Sequence, residues 1–284
     1  MSYAKSKNGC AVSRFRAAIT AAGVWLLAAA AHAAAPGITA SAGGSSTFNL
    51  NAAPGYSSQP DGELVYSWGY GCSVVDGATY SPAALAAVGF CPSMQLPGPT
   101  LVVTEGTTFT VTLTNSLPTP AGNTSILFPG LVVTTSGGTP GLLTQEAPPC
   151  PTAAPCAGNT VTYTVTAGPG TAGTHAYYSG TQPDLQIEMG LFGAVIVKPN
   201  TTYTNCTATE TGRVDYRQAA SAYDHASTCY DREYLVQWSE MDPRIHRQVS
   251  DQLKQIALCP TTGLQGTCPT TLNVVTSPTT QIIS

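Results

Sequence analysis

The sequence predicts an all-β protein built as an antiparallel sandwich of short strands. Stretches rich in Val, Thr and Tyr alternate with Gly and Pro turns, and almost no segment has a helical period. The 284 residues include 28 Gly and 22 Pro, which disfavour long helices. Hydrophobic residues make up 43% of the chain, which is enough to form a packed core.

The first 33 residues predict a signal peptide. Basic residues up to Arg16 precede an apolar run over 17–31, and the Ala-His-Ala sequence ending at Ala33 supplies the small residues that signal peptidase requires. The run is shorter than the ~20 residues that span a bilayer, so we expect export to the periplasm or outside the cell rather than membrane anchoring. Residues 34–62 are rich in Ala, Gly, Ser and Pro and are expected to be a flexible lead-in.

Residues 63–199 are predicted to form the sandwich domain. Thr107–Asn115 alternates strictly, with apolar side chains on one face and threonines on the other. Thr160–Thr166 repeats the same alternation. Further short strands are predicted at Leu101–Val103, Ser125–Phe128, Thr174–Tyr178 and Gly193–Val197, separated by Gly and Pro turns.

Residues 200–284 differ in composition and are predicted to contain one strand and one helix. Glu233–Gln237 is the predicted strand. Pro243–Leu258 is the only convincing amphipathic helix, with Asp242 as its N-cap and Pro243 at its first position. The helix should bury one apolar stripe, formed by Ile245, Val249, Leu253 and Ile256.

The cysteine content predicts disulfides. Of nine cysteines, Cys10 lies in the signal peptide, and the eight that remain are Cys72, Cys91, Cys150, Cys156, Cys206, Cys229, Cys259 and Cys268. An even number in an exported chain indicates disulfide bonds, with 105 possible connectivities. Pairing of sequence neighbours is the simplest of these. The spacing does not fit a thiolate metal site, because no Cys-x-x-Cys occurs.

The charge pattern excludes several function classes. Charged residues make up only 9% of the chain, and no Lys or Arg occurs between Arg16 and Lys198. A face built from this stretch has no cation with which to hold phosphate groups, which argues against binding to nucleic acid or to an anionic membrane. The sequence contains no Gly-x-Ser-x-Gly motif, which argues against a hydrolase. Asp184 and Glu188 are expected to cap a turn and point to solvent rather than to act as an acid pair.

Three segments together resemble the first cupredoxin (plastocyanin-like) domain of bacterial multicopper oxidases. Gln95–Val103 (QLPGPTLVV) is similar to the family's opening strands, and residues 173–197 to the segment that closes that domain. Tyr230–His246 resembles the start of the family's next domain. The resemblance covers roughly residues 63–250. It implies a cupredoxin-like Greek-key β-sandwich over 63–199, followed over 200–284 by a linker and the incomplete start of a second cupredoxin-like domain with one short helix.

The resemblance also implies where copper ligands should lie, and there the sequence departs from the family's copper-binding members. Those members supply two His-x-His pairs from this domain to a trinuclear copper cluster. Here Leu127 and Pro129 occupy the positions of one pair, and Tyr178 and Gly180 those of the other. Leu, Pro and Gly side chains have no donor atom, and a Tyr phenol binds copper well only after losing a proton. We therefore expect no copper, and no catalytic or cofactor-binding residue, in this chain.

The three histidines beyond the signal peptide have ordinary structural interpretations. His175 is expected to be hydrogen-bonded or exposed on a strand. His225 is expected to lie in a loop, with a weak metal site shared with Asp224 as the alternative. His246 is expected to face solvent on the predicted helix, beside Arg244.

Three functional hypotheses follow. The preferred one is an exported cupredoxin module without copper or catalysis, a structural or association domain that meets a protein partner or itself through the face that would pack on later cupredoxin domains. The alternative is the N-terminal portion of a multicopper oxidase, a copper-dependent oxidoreductase whose ligands lie in a missing or separately encoded remainder. A copper carrier is less favoured, because Met94, Met189 and Met241 form no cluster in the sequence.

Overall fold

The structure is a computed structural model that describes residues 35–40, 46–73, 78–82, 91–150, 158–206, 216–259 and 269–275. The predicted signal peptide lies outside the described residues. Twelve strands are described: β1 (Gly37–Ala40), β2 (Thr47–Ser58), β3 (Leu64–Cys72), β4 (Thr79–Ser81), β5 (Leu101–Thr104), β6 (Thr108–Asn115), β7 (Val132–Gly137), β8 (Thr139–Pro140), β9 (Gln145–Glu146), β10 (Thr160–Thr166), β11 (Gly173–Tyr178) and β12 (Phe192–Lys198). A 3-10 turn spans Thr119–Ala121, and the helices are α1 (Pro183–Gln186) and α2 (Pro243–Leu258).

The strands form two five-stranded sheets and one small hairpin, which confirms the predicted all-β sandwich. The first sheet has the order β11-β12-β5-β1-β4 and the second the order β3-β2-β6-β10-β7, while β8 pairs only with β9. The prediction that the strands are all antiparallel is wrong. Both sheets are mixed, because β1 and β12 run parallel to β5, and β2 runs parallel to β6. The units β1–β2 and β5–β6 each cross from the first sheet to the second and lie side by side, so their strands share a direction.

The core lies between the sheets and is rich in aromatic side chains. Phe128 is central to it, with ring centroids 6.3 Å from Phe109, 5.9 Å from Tyr163 and 6.0 Å from Tyr177. The buried hydroxyls have partners: Tyr177 donates to Pro99 O at 2.8 Å and Tyr163 to Gln145 O at 2.9 Å. The core is thus apolar while its phenols remain hydrogen-bonded.

Five predicted strands are found, at β5, β6, β10, β11 and β12. The strict alternation of β6 and β10 is real: their apolar side chains are buried, and threonines meet on the other face, as in the 3.1 Å contact between Thr112 and Thr162. Ser125–Phe128 is not a continuous strand, because only Leu127 forms a bridge, with Tyr178. Its buried Ser125 instead bonds to the turn that follows β11, with Oγ 2.9 Å from Thr181 Oγ1.

The prediction of a flexible lead-in over residues 34–62 is wrong. β2 is a 12-residue strand between β3 and β6, and Phe48, Leu50 and Ala52 are fully buried. Most other residues of β2 are small or polar, which weakens the alternation of apolar and polar residues that would predict a strand. The second sheet therefore depends on this segment for a central strand.

The C-terminal region confirms the helix and contradicts the strand. α2 has the predicted bounds and the predicted N-cap, since Asp242 Oδ1 accepts from Arg244 N at 2.9 Å. Ile245 and Val249 are buried in the same apolar cluster as the sandwich core. Glu233–Gln237 is not a strand, because residues 232–242 have no strand assignment. In the part of the chain that is described, no helix has the length and apolar character needed to cross a membrane.

Two of the neighbour disulfides are present. Cys72 bonds to Cys91 within the core, and Cys206 bonds to Cys229 outside the two sheets. Cys150 and Cys259 are also disulfide-bonded. Cys156 and Cys268, which the neighbour pairing assigns to them, lie outside the described residues.

Candidate functional site

The two segments in which the resemblance implies copper ligands lie side by side. Leu127 N donates to Tyr178 O at 2.7 Å, and Tyr178 N donates to Leu127 O at 3.3 Å. This isolated antiparallel bridge joins the segment before β7 to the end of β11. Side chains of residues paired in this way project from the same face. The fold thus brings together Leu127, Pro129, Tyr178 and Gly180, which we call the ligand positions.

Hydrocarbon fills the space between the ligand positions. A Cβ atom added at Gly180 would lie 2.8 Å from Leu127 Cγ, so the Leu127 side chain lies directly against the Gly180 backbone. Gly180 N is bonded to Ser125 Oγ at 3.2 Å, which holds the turn in place. Pro129 is exposed and Leu127 and Tyr178 are half-buried, so these residues form a surface rather than an enclosed cavity.

The residues at the ligand positions do not fit copper. Copper sites in proteins use several imidazole or thiolate donors, and only the Tyr178 hydroxyl among the four side chains carries a donor atom. Among the described residues, no group of three or more His, Cys, Asp or Glu side chains is placed to hold a metal ion.

One histidine does lie near the ligand positions. His175, on β11, has its Nδ1 atom 3.1 Å from where a Cβ atom would lie on Gly130. Its Nε2 atom is 2.7 Å from Thr171 O, so it is a hydrogen-bonded strand residue as predicted. The prediction that His225 lies in a loop is also confirmed. His225 is exposed in a turn, with Nδ1 2.7 Å from Ser227 Oγ.

The prediction that His246 faces solvent is wrong. Only 1% of the residue is exposed, and its ring lies between β3 and the segment that follows α1. Nδ1 is 2.5 Å from Tyr66 O, and Nε2 is 3.0 Å from Glu188 O. The sequence did not indicate this burial because His246 lies off the apolar stripe and is flanked by Ile245 and Arg247.

Asp184 is exposed in the first turn of α1, as predicted, but Glu188 is not a solvent-facing residue. Its Oε1 atom accepts from Asp242 N and lies 3.7 Å from His246 Nε2. Glu188 is therefore part of the contact between the sandwich and α2.

A cleft of about 510 Å³ opens beside Tyr178. Its lining includes Ile187, Phe192 and residues 237–240, among them Trp238. Its described lining includes Asp184, Glu188 and Glu240 and no Lys or Arg. The cleft is thus acidic and aromatic, as the charge distribution along the sequence implies.

A polar cluster that the sequence did not indicate holds the N-terminal segment against residues 216–233. Glu233 Oε1 accepts from Ala35 N at 3.3 Å and from Gln218 N at 3.1 Å, and Oε2 accepts from the Tyr230 hydroxyl at 2.7 Å. Gln218 Nε2 donates to Ala35 O at 2.6 Å. Burial, followed by the bond to Glu233, raises the pKa of Tyr230 well above its usual value. The cluster is a structural junction, because it ties the N-terminal segment at Ala35 to Gln218 and Glu233.

Comparison with known proteins shows a similarity over the middle of the chain. Residues 80–202 match the family model of multicopper oxidases. No curated protein matches the chain. Among solved structures, a multicopper oxidase from Pseudomonas thermotolerans is 20% identical, with 56% of this chain and 30% of that chain covered and a TM-score of 0.39.

Two further solved structures are similar at the same level. A multicopper oxidase from Pediococcus acidilactici is 18% identical, covering 54% of this chain and 26% of that one, with a TM-score of 0.37. A copper nitrite reductase from Nitrosomonas europaea is 19% identical, covering 57% of this chain and 44% of that one, with a TM-score of 0.35. The matched part of this chain spans less than half the length of each structure. Residues 80–202, which contain all four ligand positions, thus match the multicopper oxidase family model over less than half of the chain.

Proposed function

We propose that this chain is an exported, multicopper-oxidase-like cupredoxin module that binds no copper through this domain and acts as a structural or association domain. The observation that carries the proposal is the Leu127–Tyr178 bridge, where the fold brings the ligand positions together with one phenol and no imidazole or thiolate among their side chains. A scaffold that keeps this geometry without its donors is suited to packing rather than to redox chemistry.

Export is supported by the disulfides and by the leader. Cys72–Cys91 and Cys206–Cys229 are described pairs, and such bonds persist in oxidising compartments. Residues 1–33 carry the basic, apolar and small-residue pattern of a signal peptide. N-terminal sequencing of the secreted product tests this point, and a mature chain beginning near Ala34 is the expected result.

Association is supported by an apolar strip on residues 234–238. Tyr234, Val236 and Trp238 are 70%, 64% and 92% exposed, and they alternate with the half-buried residues 235 and 237. Alternate residues of an extended chain face the same side, so the three side chains form one surface. Large aromatic residues in such a position are typical of protein interfaces. We propose a second copy of this chain as the occupant.

Copper content tests the first part of the proposal. The full chain is exported with copper supplied, purified, dialysed and analysed by plasma mass spectrometry and visible absorbance. We expect far less than one copper ion per chain, no blue band and no oxidation of phenols. One tightly held copper ion per chain would contradict the proposal and would favour the copper carrier.

Sedimentation tests the association. The wild-type chain is expected to self-associate with rising concentration, and the double variant Val236→Ser/Trp238→Ser to do so at least tenfold more weakly, roughly the loss of one aromatic interface anchor. Leu142→Ser is the matched control, because Leu142 is 93% exposed in a different loop. A wild-type monomer at all concentrations, or an equal effect of the control, would refute the use of this strip.

The alternative, the N-terminal portion of a complete multicopper oxidase, is supported by the family match of residues 80–202, which include the bridged Leu127 and Tyr178. In that case the copper ligands come from a remainder that this chain does not contain. Reading the DNA past the codon for Ser284 distinguishes the two. A continuing frame with His-x-His pairs favours the alternative, and an immediate stop codon favours the separate module.

A further inference from the structure

A cavity of about 280 Å³ opens where the start of β11 and the end of β12 meet the segment 218–235. Gly173 of β11 and Lys198 of β12 belong to its lining, and Ala35 and residues of 218–223 and 230–235 supply much of the rest. The volume is about twice the ~150 Å³ of a cavity that holds benzene. A molecule with one aromatic ring and a short substituent therefore fits.

Two cations line this cavity, the half-buried Lys198 and the exposed Arg232. Every other Lys or Arg in the described part of the chain has a partner there, and these residues are Arg217, Arg244, Arg247 and Lys254. Neither Lys198 nor Arg232 forms an ion pair with a described carboxylate. Two such charges at one cavity attract an anion.

Glu233 is the one carboxylate among the described lining residues, and it is already bonded to neutral groups. Its Oε1 atom accepts from Gln218 N at 3.1 Å, and its Oε2 atom accepts from the Tyr230 hydroxyl at 2.7 Å. The lining thus carries two positive charges and one negative charge, which suits a monoanion. A carboxylate also matches the planar guanidinium of Arg232, which can donate two parallel hydrogen bonds.

Tyrosine rings supply the apolar part of the lining. The Tyr223 ring lies against the start of β11, because a Cβ atom added at Gly173 would be 2.8 Å from its Cε1 atom. The Tyr230 ring is held at its hydroxyl, which donates to Glu233 and accepts from Ala219 N at 3.1 Å. Such rings pack well against another planar ring. The cavity therefore combines aromatic surface with positive charge.

We propose that this cavity binds a small aromatic carboxylate, with the ring of the ligand against the tyrosines and its carboxylate held by Lys198 and Arg232. This binding goes beyond the proposed association and does not depend on it. The cavity borders the association strip, because Tyr234 belongs to both. The two cations lie outside the strip, so the two proposals are tested with different variants.

Calorimetric titration of the full wild-type chain tests the chemistry of the ligand with three probes. Benzoate has a ring and a charge, benzamide has the ring alone, and acetate has the charge alone. Benzoate is expected to bind with a Kd of roughly 0.1–1 mM, within the range for so few atoms, and at least tenfold more tightly than the other two. Undetectable benzoate binding well above that concentration, or equal binding of acetate or benzamide, would overturn the proposal.

The place of binding is tested with charge variants. Lys198→Gln and Arg232→Gln are each expected to weaken benzoate binding about fivefold, because each removes a charged hydrogen-bond donor. Arg247→Gln is the matched control, since it removes the same charge from α2, outside the cavity lining, and should leave the Kd within about twofold. An equal loss in the control would show a general effect of net charge and would overturn the site.

Two further measurements separate this site from the fold of the variants and from association. In the wild-type chain, NMR is expected to show nuclear Overhauser contacts from the benzoate ring to Tyr223 and Tyr230, and contacts to other tyrosines alone would overturn the assignment. Val236→Ser/Trp238→Ser is expected to bind benzoate as the wild type does. Loss of binding in that variant would place the ligand at the association strip instead of in the cavity.

Discussion

A single buried carboxylate, Glu105, organises the turn between β10 and β11. Its Oε1 atom accepts from the backbone N–H groups of Gly170, Thr171 and Ala172, at 2.5, 3.1 and 3.4 Å. The residue is only 3% exposed, so these bonds replace its hydration. The turn residues carry no charge of their own, and Glu105 therefore supplies their common acceptor.

Removing this charge should destabilise the fold. Glu105→Gln keeps one acceptor oxygen but loses the charge, and we expect about 1.5 kcal/mol less free energy of unfolding. Urea denaturation measures the difference. Glu63→Gln is the control, because Glu63 is exposed and its pair with Arg247 is a surface pair, with an expected effect within about 0.5 kcal/mol. Equal effects of the two variants would show that the Glu105 bonds contribute nothing.

Restoring donors at the bridged pair should create a metal site. In Leu127→His/Tyr178→His, two imidazoles would project from one face of adjacent strands, at the Cβ separation of about 5 Å that is usual for bridged residues. We expect calorimetry to detect Cu(II) or Zn(II) binding at least tenfold tighter than by either single variant, because two ligands then act together. If the double variant bound metal no more tightly than the single variants, the two imidazoles would not reach the same ion.

At the scale of one element, α2 shows how local chemistry sets a boundary. Asp242 accepts from Arg244 N, and Pro243 occupies the first helical position, so the helix starts where the sequence predicts. Arg244, and to a lesser extent the cap bond, lowers the pKa of Asp242 to about 2.

The stabilisation of α2 by its Asp242 cap should be lost in acid and on substitution of Asp242. A depressed folded-state pKa means that this stabilisation is present above about pH 4 and is lost as the pH falls towards 2. Asp242→Ala is expected to lower hydrogen-exchange protection of α2 about fivefold at neutral pH and to abolish this acid component. Asp242→Asn keeps an acceptor and should recover most of the neutral-pH protection. If Ala and Asn lost protection equally, the cap bond would not be the cause.

Sequence patterns predicted some elements well and others poorly, for physical reasons. β6 and β10 were predictable because threonine alternates with large apolar residues. β2 was missed because Ala, Asn and Pro give little contrast, although the strand is buried between two others. The segment 233–237 alternates too, but its large side chains Tyr234 and Val236 face outward. Alternation reports which residues share a face, and it cannot report whether that face meets a core.

The candidate site was predictable in its chemistry and only partly in its geometry. The residues at Leu127 and Tyr178 follow from motif positions, and the structure shows that they pair. The burial of His246 could not be predicted, because its two partners are backbone carbonyls of residues far away in the sequence. Main-chain acceptors leave no residue-type signal.

Across the whole molecule, the two described disulfides differ in what they hold. Cys72–Cys91 is buried in the core cluster, whereas Cys206–Cys229 ties a segment outside both sheets. We expect Cys72→Ala/Cys91→Ala to cost about 3 kcal/mol in the free energy of unfolding, measured by denaturation. Cys206→Ala/Cys229→Ala should loosen its own segment and change global unfolding by less than about 1 kcal/mol. The opposite ranking would place the second bond within the cooperative unit.

Under the proposed export, the position of β2 has a consequence for how the chain becomes folded. A polypeptide that passes through a translocation channel N-terminus first delivers β2 early, yet Thr47 pairs with Thr110 of a strand that emerges much later. During that interval the apolar side chains of β2 have only the β3 hairpin to cover them. Final assembly must then wait for distant pieces to meet, which makes maturation slow and favours a holding chaperone. A form trimmed to begin at Glu63 would have a gap in the middle of its sheet.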